Sequence, residues 1–440
     1  MLKRFSVENF SSFRDRSVLD LTAGRGTENT NHCIDFSSVK LLKSAVIYGA
    51  NASGKSNFIK AIDFARQVVM QSLDDVETYK KYFRLDLESE NSSSRFEFEI
   101  EIENRFFSYG FMCSLRDKKV NNEWLYEIGT GKPVMIFERT ENDINFGKLI
   151  SNDKDLSNRF GIYSADMKNQ SSQLFLSEIA SKAINDSDLK DAQIINELYK
   201  WIKTKLIIIY PQSKFLLPFS SSDDDGVVDA LTKYLVEFDT GIQGISTIED
   251  PLEDNKEIPD DLRSMVERDL KEPDAKVMAE INNTLLNFYK KSDGTIFVQK
   301  LGLIHSENNK EVFELKDESD GTRRLFDLIP LIARFKINPT IIIDEFDRSL
   351  HPKLTKQFFD LFLSQEESKS QLIISTHEST LLDLNLLRRD EIWFVEKDQT
   401  GASKLFTLNQ FKVRYDTKVD KAYLLGRYGA IPFFKQFEGS

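Results

Sequence analysis

Apolar positions along the chain follow two periods, and the order in which the periods alternate outlines an architecture. The opening Met1-Leu2-Lys3-Arg4 runs into a strand-like alternation, and the continuous apolar run Ala45-Val46-Ile47-Tyr48 reads as a buried strand. Phe58, Ile59, Ala61, Ile62, Phe64, Ala65, Val68 and Val69 then recur with helical spacing. From about 82 to 148 the period changes to two: Arg95–Ile102 alternates strictly, and Phe106–Met112 forms its hairpin partner across Glu103-Asn104-Arg105. Between about 150 and 292 the pattern is mainly helical, broken by the strand Leu206–Tyr210 and the polar loop Ser220–Gly226. Beyond it come a helical run (Leu325, Phe326, Leu328, Ile329, Leu331, Ile332) and short apolar strands at Thr340–Ile343, Gln371–Ile374 and Ile392–Val395. The expectation is an α/β fold with a parallel sheet core, an antiparallel β-layer and a mainly helical insertion. Its segments would be 1–148, 149–292 and 293–440.

Composition narrows the class. A chain of 440 residues can bury a large core in two or three domains. No run approaches the about eighteen consecutive apolar residues of a membrane span, and the start does not resemble a signal peptide, so no membrane contact and a cytoplasmic location are expected. Cys33 and Cys113 are too few and too far apart for a disulfide framework or a zinc site. A net charge of -12 argues against a large exposed nucleic-acid surface, although a basic groove on assembly is compatible with it. The run Tyr79-Lys80-Lys81-Tyr82-Phe83-Arg84 fits either base stacking or a solvated helix end. The Asp223–Asp225 triplet fits a cation site or a solvated loop.

The chemistry begins at Gly49-Ala50-Asn51-Ala52-Ser53-Gly54-Lys55-Ser56, which matches G-x-x-x-x-G-K-[ST] between the predicted strand and helix. Glycines let the backbone curl until successive N–H groups face a phosphate, while the helix N-terminus adds its positive dipole end. Gly49, Asn51, Ser53, Gly54, Lys55, Ser56 and Asn57 are therefore the expected residues for binding a nucleoside triphosphate, ATP by the resemblance given below. Lys55 would reach the β/γ oxygens and Ser56 a Mg²⁺ ion, the one metal expected. Downstream, Thr340–Ile343 delivers Asp344 and Glu345 to a strand end, where α/β sheets bind ligands. Asp344 would hold Mg²⁺, and Glu345 would polarise the attacking water. Gln371–Ile374 likewise ends at Ser375-Thr376-His377, which positions His377 for the γ-phosphate or the water.

Phosphate loop, Asp-Glu strand and His strand in that order resemble the ABC-type ATPases. That resemblance implies a signature peptide, to which Asp317–Thr322 corresponds in part: Ser319 and Gly321 fall on its Ser and second Gly, but Asp320 and Thr322 depart from it. Alternatively this string is a helix start capped by Ser319 or Asp320, and Asp320 would need neutralising by Arg323 or Arg324. Leu350-His351-Pro352 resembles the D-loop form of OLD and RecF-like ATPases, and Asn9-Phe10-Ser11-Ser12-Phe13 the opening string that lies near the adenine in SMC, RecF and OLD proteins. Tyr423–Pro432 looks like the tail of RloA/AbiLi-type anti-phage, abortive-infection ATPases.

The resemblance implies a homodimer or higher oligomer in which Ser319 and Gly321 act on the nucleotide of the other copy, and a separate effector protein. A RecF-like repair or recombination ATPase binding DNA is the alternative. An OLD-type nuclease is disfavoured, since no Asp-x-Asp follows His377. Pro251, Pro259 and Pro273 interrupt the charged helical stretch, which excludes an SMC-like coiled-coil arm. Thr417-Lys418-Val419-Asp420 matches a guanine-reading pattern, but following the sheet and preceding the tail it reads as a helix start rather than a GTP site.

Overall fold

The computed structural model describes the chain except at 37, 168–169, 183–189, 214–224, 271–275, 282–283, 307–310, 414–417 and 432–440. The expectations for most of the Ser220–Gly226 loop, for Thr417 and for Pro432 fall outside the described residues. Two compact units result: Met1–Pro211 with Phe335–Asp347 and Thr355–Ser440, and Gln212–Arg334 with Arg348–Leu354.

In chain order the first unit opens with β1 (Leu2–Glu8), β2 (Ser17–Asp20), the short pair β3 (Cys33–Asp35) and β4 (Lys40–Leu42), then β5 (Ser44–Tyr48) and helix α1 (Lys55–Met70). An antiparallel run follows: β6 (Ser94–Ile102), β7 (Arg105–Ser114), β8 (Lys119–Ile128), β9 (Val134–Arg139) and β10 (Ile144–Phe146). Helices α2 (Lys148–Ser151), α3 (Lys154–Met167), α4 (Phe175–Ser181) and α5 (Lys190–Lys200) lead to β11 (Leu206–Ile209). The second unit contains α6 (Asp225–Glu237), β12 (Gly244–Pro251), α7 (Asp260–Asp269), β13 (Lys276–Ile281), β14 (Thr284–Lys290), β15 (Ile296–Ile304), β16 (Val312–Glu314) and α8 (Asp320–Arg334). The chain then supplies β17 (Thr340–Ile343), α9 (Pro352–Leu363), β18 (Gln371–Ser375), β19 (Ile392–Lys397), β20 (Ser403–Thr407) and α10 (Val419–Leu424).

The core sheet has the order β11-β17-β18-β5-β19-β20. Its first five strands are parallel and β20 is antiparallel to β19. Every residue of β5, β17 and β18 is buried, as expected of a parallel strand covered on both faces. The sheet draws β5 from the start of the chain and β17–β20 from its end, with the second unit inserted between the neighbours β11 and β17.

The antiparallel layer has the order β10-β9-β8-β7-β6-β1-β2. Alternation in β6 sends Phe96, Phe98 and Ile100 into the core, while Glu97 and Glu99 meet cations on the other face: Lys3 and Arg4 both pair with Glu99. Its hairpin to β7 turns on Glu103 and Asn104, both at positive φ (52° and 62°), which matches the twist that two-residue hairpins require. Helix α1 joins this layer through aromatic pairs, Phe58 edge-on to Phe5 (5.7 Å) and Phe64 tilted against Phe10 (5.0 Å) and Phe96 (5.2 Å). Its apolar stripe belongs to the same core as Ile47, Ile342 and Ile373, so the phosphate-loop helix is held by both sheets.

The α/β class stands, and α2–α7 supply the expected helices between about 150 and 292. Beside them the second unit builds an antiparallel sheet, β12-β15-β14-β13, with β16 also paired to β15. Periodicity did not single out β12–β14, because their polar and apolar positions mix and their pairing with β15 is long-range.

One buried carboxylate ties the β-layer to the helices after it. Glu123 on β8 is fully buried and accepts hydrogen bonds from the Phe175 N–H (2.6 Å), the Leu176 N–H (2.9 Å) and the Tyr109 hydroxyl (3.1 Å). Burial pushes its carboxyl pKa up, against the opposing pull of Arg139 at 3.8 Å. Removing it strands two helix-start donors and takes the counter-charge from the buried Arg139 guanidinium, which keeps its hydrogen bonds to the Gln170 and Gln173 carbonyls. Glu123→Ala is expected to lower unfolding free energy by about 3 kcal/mol, and Glu123→Gln, which keeps one acceptor, by less. Urea denaturation of the two variants checks the order, and equal midpoints with the parent chain would remove the clamp.

Candidate functional site

The site is built where β5 stops. After Tyr48 the chain turns through Gly49–Gly54 with Ala52 at φ 61° and Gly54 at φ 121°, then enters α1 at Lys55. Both glycines are dictated by neighbours as well as by torsion angles. A Cβ on Gly49 would stand 2.4 Å from the Val395 carbonyl oxygen, and one on Gly54 would stand 2.3 Å from Ser403 Oγ. The first helical bond of α1 runs from the Phe58 N–H to the Gly54 carbonyl, so the N–H groups of Lys55, Ser56 and Asn57 have no helical acceptor. No acidic residue occupies that first turn, which leaves its positive field uncancelled.

A line of hydrogen bonds fixes the back of the loop. Ser403 Oγ lies 2.6 Å from the Ser53 carbonyl oxygen and 2.8 Å from Ser12 Oγ, and the Asn57 amide donates to Ser12 Oγ at 2.9 Å. A hydroxyl has one proton to give, so the sequence is settled: Asn57 to Ser12, Ser12 to Ser403, Ser403 to Ser53. The Ser403 N–H also reaches the Ser12 carbonyl (2.7 Å), joining β20 to the Asn9–Phe13 string.

A cavity of about 300 Å³ in front of the loop is lined by loop residues 51–54 and by Lys55, Ser56, Asn57, Glu345, His377 and Lys397. Lys55 Nζ donates to the Gly49 (2.8 Å) and Ala50 (3.2 Å) carbonyls. Burial lowers its pKa to about 8, and Asp344, Asp347 and Glu345 oppose that shift. Asp344 is buried at the end of β17, accepting from Ser375 Oγ at 2.5 Å, while the Glu345 N–H reaches the same hydroxyl at 2.9 Å. Glu345 itself sits at φ 48°, a conformation unfavourable for its type, which turns the side chain out of the strand line toward the cavity wall. The His377 N–H points at the Asp347 carboxylate (3.3 Å). Burial, and then the Lys55 charge, lower the His377 pKa.

Sequence-predicted residues thus meet in one place: Asn51, Ser53, Gly54, Lys55, Ser56, Asn57, Glu345 and His377 all face the cavity. Gly49 and Asp344 do not line it; Gly49 gives the loop its close approach to β19, and Asp344 is held by Ser375. Ser319 and Gly321 belong to the second unit. There Ser319 Oγ accepts the Thr322 N–H (3.1 Å) just ahead of α8, Asp320 pairs with Arg323, and a Cβ on Gly321 would stand 2.8 Å from the Ser349 carbonyl oxygen. Sequence reasoning missed Ser403 and Lys397, both on the β19–β20 hairpin. The available signal is the β19 strand itself, whose C-terminal end in a parallel sheet lies on the ligand-binding edge.

The donor set suits a triphosphate. Its cradle is closed to any Cβ at Gly49 and Gly54, the residues whose N–H groups lack a helical acceptor line the cavity, and the buried Ser53 Oγ has no partner among the described residues. The Ser56 hydroxyl and Asp344 carboxylate are hard oxygen ligands of the kind Mg²⁺ takes.

The Lys55 pKa gives the site a pH dependence with a definite sign. A phosphate raises that pKa, so above pH 8 binding must take up a proton. In EDTA, the Kd for ATP is expected to rise by up to about tenfold per unit between pH 8 and pH 10, with a calorimetric enthalpy that varies with the buffer. A Kd flat across that window would mean that Lys55 is already charged.

No protein of curated function matches this chain. Among solved structures, an SMC head bound to the C-terminal winged-helix domain of ScpA aligns over 92% of this chain and 97% of its own, with 16% identity and a TM-score of 0.38. The SMC head domain of Thermotoga maritima aligns over 92% and 98%, with 14% identity and a TM-score of 0.33. An SMC head from Pyrococcus furiosus, with an extended coiled coil and bound to the C-terminal domain of ScpA, aligns over 97% and 98%, with 15% identity and a TM-score of 0.36. A family model described as "AAA domain, putative AbiEii toxin, Type IV TA system" matches residues 44–383, from the first residue of β5 to beyond His377. With its phosphate loop, Asp-Glu strand and His strand inside that match, the chain belongs to this family of AAA-domain P-loop ATPases.

Proposed function

We propose that the protein is an ABC-type regulatory ATPase that hydrolyses ATP with Mg²⁺ to time the association of two copies, and so controls a separate effector in anti-phage defence. The observation that carries the reading is the convergence of Lys55, Glu345 and His377 on one cavity. The start of α1 and the ends of β17 and β18 supply a phosphate cation, a carboxylate and an imidazole beside the helix N–H groups that have no helical acceptor.

In this reading Lys55 and the N–H groups of Lys55–Asn57 hold the β- and γ-phosphates. Ser56 and Asp344 would hold Mg²⁺, which would supply neutralisation of charge developing on the phosphate oxygens. Glu345 accepts a proton from the attacking water and orients it. His377, kept neutral near pH 7 by burial and by Lys55, offers one N–H donor and one acceptor to the γ-phosphate or the water. Ser319 and Gly321 open α8, whose N-terminus would present N–H groups to the nucleotide of a second copy. The Asp320 charge is answered by Arg323, which supports that role for a signature departing from the usual sequence. The family description, which names a toxin and a type IV toxin–antitoxin system, supports a place in defence, and the Leu350-His351-Pro352 and Tyr423–Ile431 strings support the OLD and RloA/AbiLi grouping.

Glu345→Gln is expected to bind ATP with parent affinity, to lower kcat by about 100-fold or more, and to accumulate as a dimer or larger assembly with saturating Mg-ATP. Light scattering after size exclusion reads the assembly, and a variant that stays monomeric contradicts the paired-site mechanism. Lys55→Ala should lose ATP binding by a factor of about 100, because it removes a charge-assisted contact within a desolvated loop. Undiminished turnover in that variant would move the chemistry elsewhere.

A further inference from the structure

Beside the phosphate cavity lies a second, of about 540 Å³, lined by Ser11, Ser12 and the segment Tyr79–Leu85. The two share Asn57 and Lys397, so one neck joins them. Asn57 is already committed to Ser12. Lys397 is not: it is exposed at the end of β19, and among the described residues its ammonium has neither an ion-pair nor a hydrogen-bond partner. The carboxylate next to it, Asp398, is taken by Thr400, the Ala402 N–H and Lys404. What sets this lysine apart from other solvated lysines is its place on the lining of both cavities, where an anionic ligand would meet a cation with no paired carboxylate among the described residues.

The position follows from register. β19 runs parallel to β5 with Phe394 opposite Tyr48, and the Val395 carbonyl abuts Gly49, so the strand comes alongside the phosphate loop at its first residue. Lys397 pairs with Ser403, whose hydroxyl holds the Ser53 carbonyl. The ammonium therefore approaches the loop from the β19–β20 side. Glu345 and His377 line only the first cavity, whereas the second is lined by Ser11 and Ser12 and by the aromatics of Tyr79–Leu85, with Lys80, Lys81 and Arg84 among them.

We infer that Lys397 is a second cationic contact of the nucleotide, made at the α-phosphate in the neck, with the terminal phosphates toward Lys55 and the nucleoside in the Tyr79–Leu85 cavity. This rests on the ATP reading above and deepens it. A volume of 540 Å³ accommodates a nucleoside. An α-phosphate is common to ATP, ADP and AMP, so the contact acts on all three alike, whereas a contact at the terminal phosphate would act on ATP alone.

The test is equilibrium binding of ATP, ADP and AMP, in EDTA, to the parent chain, Lys397→Met and Lys397→Arg, with melting temperatures recorded. Expected is a loss of roughly tenfold for all three nucleotides in the Met variant, recovery in the Arg variant, and unchanged melting, since Lys397 holds nothing else among the described residues. Unchanged affinity for all three in the Met variant overturns the assignment while leaving the ATP reading intact, as does a loss confined to ATP. Failure of the parent chain to bind any of them overturns both.

Discussion

The site depends on how closely the phosphate loop can approach the strands beside it. Gly49 meets the Val395 carbonyl and Gly54 meets the hydroxyls of Ser403 and Ser12 at separations that no Cβ tolerates. The intimacy has a purpose. A loop whose back is pressed onto β19 and β20 has only its front left for a ligand, and its free N–H groups then share a fixed direction with the start of α1. The hydrogen bonds from Asn57 through Ser12 and Ser403 to Ser53 make that contact directional as well as tight.

The same closeness explains the electrostatics. Lys55 is buried because the loop wraps it, and burial is the main reason its pKa falls to about 8. Its positive charge in turn helps lower the His377 pKa, while Asp344, Glu345 and Asp347 resist both shifts. Cation, imidazole and acids form one coupled set. Each of them is held from behind: Lys55 by loop carbonyls, Asp344 by Ser375, and the His377 backbone by Asp347. Such support is what keeps a charged site rigid before a ligand arrives.

Chain connectivity gives the acids a particular place. β17 follows directly from the second unit, and Arg348–Leu354, just after Asp347, belong to that unit again. Asp344 and Glu345 are therefore on a short excursion of the chain into the parallel sheet, bounded on both sides by the unit that carries Ser319 and Gly321. Helix α8 and the acids are linked through the backbone, whatever each binds.

Local chemistry determined much of this in advance. The phosphate loop, the buried strands at 45–48, 340–343 and 371–374, the stripe of α1 and the β6–β7 hairpin were legible because each is written in a few neighbouring residues whose period or turn chemistry has few alternatives. Glu345 and His377 could be named because a strand end in an α/β sheet is where ligands sit. Other features only the tertiary structure decided. Ser403 meets Ser53 across hundreds of residues of sequence, Glu123 clamps a helix start from a neighbouring layer, and the sheet β12–β15 forms from segments of mixed polarity. Lys397 is the sharpest case, since an unremarkable lysine becomes a feature of the site through strand register alone. Periodicity records which face of an element is buried, and it is silent on which distant element covers that face. That choice is made by packing and pairing between remote segments, and it placed the cations and hydroxyls around the loop.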